Sequence, residues 1–309
     1  MVKKIFITGA AGYIGCILVD LLLKAGYQVT GYDNLMYGGD GLISHTSNPN
    51  FTFIKGDILD IDLLRESVKR HDAVVHLAAI VGYTACRKNE KHAHEVNHRG
   101  TKNVIECLDG NQFLLYGSTG SNYGSLEEVC TEESPLKPLS IYGVSKTNGE
   151  KEVRKYKNSV AFRFATAFGV SPRLRLDLLV NDLSYSAHIQ KYIAVYEHHF
   201  MRTFIHVRDI ASVFKFAIER ERQMSGEVYN VGSNSMNFSK GDVCKLIQEK
   251  SNCYVHYADF DNDADKRNYV VSYDKIKRLG FETTITVQEG IDELFDTFPL
   301  VSVYNRYRN

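Results

Sequence analysis

Residues 5–15 read IFITGAAGYIG, an apolar run that ends abruptly in glycines at 9, 12 and 15. A helical pattern, IGCILVDLLLKAG, starts at once and closes at Gly26. A strand turning that sharply into a helix leaves the helix amide groups pointing back at the turn. Glycine there allows the tight bend and lets backbone amides approach an anion at the positive helix end. The same alternation continues. KKIFITG, YQVTGYD, FTFIKGD, DAVVHLAA, QFLLYGST and SVAFRFAT read as strands. Helical stretches lie between them near residues 60–70, 91–108 and 142–157. Strands that are apolar throughout, such as IFIT and AVVHLAA, suit a parallel sheet covered on both faces. The fold class expected is therefore α/β, a Rossmann-type doubly wound parallel sheet.

The pattern loosens near residue 170, where SPRLRLDLLVNDLSYSAHI holds the first proline since Pro138. Strand and helix signals return at RTFIHVRDIASVFKFAIE and EVYNVG. SKGDVCKLIQEK is a last helix candidate, with Ser239 as its cap. The polar stretch 258–270 reads as loop. These shifts divide the chain into a nucleotide-binding part, 1–169 with a return segment about 203–232, and a smaller α/β substrate domain, 170–202 and 233–309.

Composition excludes several classes. Lys and Arg together number 37, as do Asp and Glu, so no general basic surface for nucleic acid is expected. No apolar run is long enough to span a bilayer, and the N-terminus reads as a first strand, not a signal peptide. The six cysteines show no paired spacing, which fits free thiols in a reducing cytoplasm.

Asp33 ends the second strand, 18 residues beyond Gly15 (33 − 15). A carboxylate there accepts both hydroxyls of an adenosine ribose and repels a 2′-phosphate, which favours NAD over NADP. A glycine-rich turn without a ligand is the plainer alternative, and the strand–turn–helix context counts against it. Asp57 and the LAA of 77–79 follow the third and fourth strands and fall at the sheet edge where such folds bind ligands. Read alone, Asp57 is a helix cap.

GAAGYIG, Asp33, Asp57, LAA, VNHRGT at 96–101 and Tyr142-Gly-Val-Ser-Lys146 together resemble the extended short-chain dehydrogenase/reductases. That family contains the nucleotide-sugar epimerases, dehydratases and reductases. The resemblance runs on through RTFIHVRDI at 202–210 and DKR at 265–267, so it covers nearly the whole chain. It implies NAD contacts from Gly9, Gly12, Tyr13, Ile14, Asp33, Asn34, Asp57, Ile58, Leu77, Ala78, Ala79, Asn97, Tyr142, Lys146 and Phe168. It also implies a nucleoside diphosphate sugar held by Thr119, Thr166, Pro172, Arg173, Asn181, Arg202, His206 and Arg267, and a homodimer through the helices near 92–108 and 142–157. Asn97 takes the place of a structural and proton-relay asparagine.

Tyr142 and Lys146 are four residues apart on one helix face. An ammonium beside a phenol lowers the phenol's pKa. Such a tyrosine can take a proton from a sugar hydroxyl as hydride leaves the same carbon. By resemblance, Thr119 is the catalytic Ser/Thr that orients this hydroxyl. The 4,6-dehydratases look like Thr-Asp-Glu at this point, and this chain has Gly120 and Ser121 instead. With no carboxylate to protonate a departing hydroxyl, epimerisation, net dehydrogenation or ketone reduction remains. Thr166 departs from the Asn of the family's Asn-x-Tyr-Gly motif. Within the family, LAAIVG, SPRLRLDLLVNDL and DADKRNYVVS resemble bacterial GDP-heptose 4-dehydrogenases.

HEVNH at 94–98 also fits the zinc-hydrolase pattern H-E-x-x-H. It lacks a well-placed third ligand, because His92 is on another part of the helix surface. The same residues serve VNHRGT, so no metal is expected. The histidines at 198–199 are candidates to line the substrate pocket. A non-catalytic NAD-binding sensor or scaffold is the rival reading, and its signature would be a broken Tyr–Lys pair or a lost Thr119. All three residues are present.

Overall fold

A computed structural model describes residues 3–258 and 267–301. The six expected strands form at Lys4–Thr8 (β1), Gln28–Asp33 (β2), Phe51–Lys55 (β3), Ala73–His76 (β4), Phe113–Thr119 (β5) and Ser159–Phe164 (β6). They are followed by Thr166–Phe168 (β7), Tyr192–Tyr196 (β8), Met201–His206 (β9), Val228–Val231 (β10), Asn237–Ser239 (β11) and Tyr254–Ala258 (β12). Seven of these make one all-parallel sheet in the order β3-β2-β1-β4-β5-β6-β10. The chain winds outward in one direction from β1 and in the other from β4. The two halves therefore part between β1 and β4, and the crevice at that switch point is where doubly wound sheets bind ligands.

Burial explains the apolar strands. Ile5, Phe6 and Ile7 of β1 and Val74 and Val75 of β4 are fully buried, because helices cover both faces. Tyr13–Lys24 (α1) packs on one face with Val207–Glu219 (α8, counted below). Ile61–Val68 (α2), Tyr83–Lys88 (α3), Glu90–His94 (α4), Thr101–Glu106 (α5) and Ile141–Val153 (α6) follow in sequence. Of these, α2, α5 and α6 supply part of the apolar cluster on the opposite face, around Phe6, Leu64, Val104, Leu114 and Val153. Between α4 and α5 the chain makes a wider π turn, Glu95–Gly100, so the stretch expected as one helix is a run with a local bulge.

Leu179–Gln190 (α7) opens the segment beyond the last expected strand of the first part, and α8 comes next. A second apolar core gathers Phe168, Leu174, Val180, Phe204, Ile247, Ile291 and Phe298. It is served by small sheets, β7-β9-β11 and β8-β12. Helix Lys240–Ser251 is capped as its sequence implies: Ser239 and Asp242 form a reciprocal capping box. Residues 259–266, within the polar stretch expected as loop, lie outside the described residues. Among the described residues no helix is long and apolar enough to cross a membrane.

Candidate active site

A cleft of about 890 Å³ opens along the carboxyl ends of β1, β2, β4 and β5. Its first wall is the glycine turn. Gly9 has φ +74°, and a side chain there would strike the Ala78 amide at 2.6 Å. A Cβ on Gly15 would lie 2.2 Å from the Gly9 carbonyl. Glycine is thus required both by conformation and by contact. The cap of α1, Gly12, offers no side chain to the first amides of the helix, which stay available to an anion. Gly9, Gly12, Tyr13, Ile14, Asp33, Asn34, Asp57, Ile58, Leu77, Ala78 and Ala79 all line the cleft. The Asp33 carboxylate accepts from the amides of Ala11 (3.0 Å) and Leu35 (2.8 Å), which fixes its orientation at the end of β2. Asp57 is not the helix cap that its sequence suggested. Asp60 caps α2, and Asp57 makes a local turn with Leu59 N while accepting from Asn34 Nδ2 at 2.9 Å. This donor set and glycine cradle fit a dinucleotide.

The second wall is built by β5 and α6. Ser140 caps α6 by accepting from Gly143 N, which aligns Tyr142 and Lys146 one turn apart on the cleft side. The helix carries Gly149 despite the cost of glycine in a helix interior. A Cβ there would meet the Tyr116 hydroxyl at 2.5 Å and the Asn97 carbonyl at 2.9 Å, so only glycine lets α6 lie this close. Thr119 ends β5. Its Oγ1 accepts from Ser121 N (3.1 Å) and donates to Ser121 Oγ (3.1 Å), and its side chain favours the ionised form of Tyr142. Thr119, Tyr142 and Lys146 thus face one cavity.

The electrostatics differ from the simple expectation of an ammonium lowering a phenol. Burial holds Tyr142 above the ordinary phenol value. The groups that favour its phenolate are the Thr119 hydrogen bond, Arg175 and Arg267. Burial of Lys146 drives it down to about 7, against the pull of the Glu150 carboxylate. Lys146 Nζ sits 4.0 Å over the Tyr116 ring, a contact that favours the charged form. Beneath it, His76 is held neutral by burial, down to about 3.

Behind the loop after β5 lies a buried ion pair. Glu150 and Arg163 are joined at 2.7 Å, with side chains 1% and 2% exposed. Glu150 also accepts from Ser118 Oγ (2.6 Å) and Asn122 Nδ2 (3.0 Å), and Arg163 donates to the Tyr123 hydroxyl. Both ends of the 118–123 loop are therefore tied to α6. Glu150 and Arg163 were not singled out in the sequence, although the spacing of four from Lys146 to Glu150 marks one helix face. Arg175, Ser121, Lys240 and Tyr269 also line the cleft, and of these only Ser121 stood out, as an absent acid.

The substrate end is mixed. Thr166, Arg173, Arg202 and Arg267 line the cleft. Arg267 donates to Ser121 Oγ, Arg202 donates to the Arg267 carbonyl, and Arg173 stacks 4.5 Å over the Tyr37 ring. Thr166 Oγ1 is buried with no hydrogen-bond partner among the described residues. Other expected contacts point elsewhere. Phe168 is fully buried in the second core against Phe204 and His206. His206 bonds Glu293 at 3.1 Å away from the cleft. Asn181 spends its amide on the backbone of Gly169 and Arg175. Asn97 is 1% exposed and bridges Ile80 and Ser145 Oγ. Pro172 packs toward Gly41 and Cys16 in a neighbouring groove. These five hold the walls and do not line them. His198 and His199 pack on Tyr257 and Phe200, also off the cleft. His94 and His98 meet ring to ring at 5.1 Å, and no cluster of three metal-capable side chains exists among the described residues.

Comparison with known proteins agrees with this geometry. Residues 5–232 match the model of the NAD dependent epimerase/dehydratase family. An uncharacterized UDP-glucose epimerase, YtcB of Bacillus subtilis, is 32% identical over 83% of this chain and 85% of its own. A crystal structure of UDP-glucuronic acid 4-epimerase from Bacillus cereus, with UDP-glucuronic acid and NAD, superposes with a TM-score of 0.85. It is 26% identical and covers 96% of this chain and 99% of its own. A dTDP-glucose 4,6-dehydratase from Bacillus anthracis, in complex with NAD, superposes at 0.82 with 25% identity, covering 96% and 97%. The chain belongs to the NAD dependent epimerase/dehydratase family, enzymes whose named members act on nucleotide sugars.

Proposed function

We propose that this enzyme oxidises the 4-position of a nucleoside diphosphate sugar without eliminating water from it. The observation that carries this is the loop after β5. Thr119 and Tyr142 line the same cleft, while Gly120 and Ser121 occupy the places where the dehydratases resemble Asp-Glu, and Ser121 Oγ is engaged by Arg267. Neither Gly120 nor Ser121 supplies a carboxylate to protonate a leaving hydroxyl.

In this reading Tyr142 takes the proton of the sugar hydroxyl and Thr119 fixes the reacting oxygen beside it. Lys146 holds the nicotinamide ribose. NAD, when bound, supplies the hydride acceptor. Arg202 and Arg267 carry the diphosphate, a task suited to planar guanidinium groups. Thr166 Oγ1, buried without a partner among the described residues, is suited to a hydroxyl of the ligand. The cofactor falls to the lobe of 1–169 and 203–232, and the sugar nucleotide to that of 170–202 and 233–309. Homodimerisation runs through the outer faces of α5 and α6, where Val144 is exposed.

Two outcomes follow from the ketone. A 4-epimerase returns hydride to the other face of the turned sugar. A 4-dehydrogenase of the GDP-heptose type releases the ketone, and an added keto acid then reoxidises the reduced cofactor through the enzyme. The test is a panel of UDP-, GDP-, CDP- and dTDP-sugars, including GDP-heptose, followed by product mass and reduced-nicotinamide absorbance. An isomer of unchanged mass marks the epimerase. A product lighter by two hydrogens marks the dehydrogenase. A product lighter by one water refutes the proposal.

A further inference from the structure

Two arginines two residues apart line the cleft, and their contacts differ. Arg175 serves the catalytic end. It pairs with Asp177 at 2.5 Å, donates to the Val81 carbonyl, and its charge acts on Tyr142. Arg173 serves the cofactor end. Its guanidinium lies 4.5 Å over the ring of Tyr37, four residues beyond Asp33 (37 − 33). Burial holds the Asp33 carboxyl above its ordinary value, and the Arg173 charge is one of the groups that oppose this. The stretch that carries Arg173 is fastened across the start of α1. The Tyr13 hydroxyl donates to the Gly169 carbonyl at 2.7 Å, and Ser171 Oγ donates to the Tyr13 carbonyl at 2.7 Å. Pro172 meets the turn at Gly41, where an added Cβ would lie 3.1 Å from the Pro172 Cβ. Tyr37 is held as well. Leu35 N donates to Asp33 Oδ1, Met36 N to Asn34 Oδ1 and Gly38 N to the Leu35 carbonyl, in a turn that keeps Leu35 and Gly38 at positive φ.

We propose that Arg173 is a cofactor-binding residue, whose guanidinium pairs with the pyrophosphate of the dinucleotide while the Tyr37 ring holds it in place. The amides at the start of α1 supply partial positive charge, and Arg173 adds a full one beside them. Stacking engages the face of the guanidinium and not its edge, and the edge is what an oxyanion binds. Arg173 is 8% exposed, so the pairing is shielded from water. Tyr37 follows β2 and Arg173 follows β7, so the stack joins two segments distant in sequence at the cofactor end. It acts as a clasp: the dinucleotide leaves when the stack opens. The diphosphate of the sugar nucleotide is left to Arg202 and Arg267.

The test separates the cofactor from the sugar nucleotide and does not depend on which sugar is the substrate. Enzyme loaded with radiolabelled NAD is chased with unlabelled NAD, and the release rate is read by filtration. UDP and GDP are titrated calorimetrically into the same NAD-loaded proteins, and thermal melts check that the fold is retained. Arg173→Met keeps the apolar stem and removes the charge. Release should quicken by about 10- to 150-fold, the range of a hydrogen bond to a charged group. Tyr37→Leu should quicken it by about 2- to 30-fold, and Tyr37→Phe, which keeps a ring under the guanidinium, by less than about twofold. Affinity for whichever of UDP and GDP wild type binds more tightly should stay within about twofold in all three variants. Unchanged NAD release in Arg173→Met overturns the proposal. So does a loss of nucleoside diphosphate affinity as large as the loss of NAD retention, which marks Arg173 as a substrate contact or a support of the whole cleft. Tyr37→Leu releasing NAD at the wild-type rate overturns the clasp. Should Arg173→Met not fold, the comparison of Tyr37→Leu with Tyr37→Phe decides alone.

Discussion

Replacing Lys146 with methionine should make the cofactor-free protein more stable and the enzyme inactive. Lys146 is 3% exposed, and its burial brings it down to about 7. The unfolded lysine titrates near 10.4. Holding the ammonium in the folded state near pH 6 therefore costs about 4–5 kcal/mol. Attraction to the Tyr116 ring at 4.0 Å offsets up to about 2 kcal/mol of this. Lys146→Met should then gain about 2–5 kcal/mol near pH 6. The sign of the pH dependence follows from proton counting. Between about pH 7 and pH 10 the unfolded chain holds a proton that the folded one has released, so wild-type stability rises with pH across that window. The variant lacks this rise. Its advantage should shrink to below about 1 kcal/mol near pH 10. Urea unfolding of both proteins at the two pH values measures it. A variant less stable than wild type near pH 6, or an advantage that does not shrink, would refute the reasoning.

Glu150→Ala strips the buried Arg163 guanidinium of its carboxylate and removes the acceptor of the Ser118 hydroxyl and of one of the two Asn122 Nδ2 bonds. Urea unfolding should show a loss of about 3–5 kcal/mol, whereas Lys215→Ala, at an exposed pair with Glu219, should cost less than about 1 kcal/mol; a Glu150 loss that small would mean the pair does not anchor the loop. Asp33→Ala should weaken NAD binding at least about tenfold in a fluorescence titration and narrow the preference over NADP. Unchanged affinity for both would show that the carboxylate serves only the Ala11 and Leu35 amides.

The sheet was legible because its signals are local. Six apolar runs, their spacing and the glycine turn after β1 all depend on residues near one another in sequence, and each strand formed where its run lay. The cofactor end of the cleft was readable for the same reason. The substrate end was readable in part: Thr166, Arg173, Arg202 and Arg267 line the cleft as expected. Phe168, Asn181 and His206 carry side chains suited to a site, yet the second core and nearby backbone claim them. Which side chains a core absorbs depends on contacts between distant segments, and no periodicity reports those. The π turn that aims Asn97 at Ile80 and Ser145 is likewise set by packing against α6. Tyr142 shows the same limit. Spacing places it beside Lys146, but the balance of burial against Arg175 and Arg267 needs three dimensions.

The most direct test of the account is single-turnover hydride transfer in NAD-loaded Tyr142→Phe, with the sugar nucleotide that wild type accepts. Removing one hydroxyl from a ring that α6 already holds in place should leave NAD bound and the sugar nucleotide bound. Reduced-nicotinamide absorbance should then fail to appear on mixing. Absorbance rising at the wild-type rate would contradict the assignment of Tyr142 as the base and, with it, the chemistry assigned to this cleft.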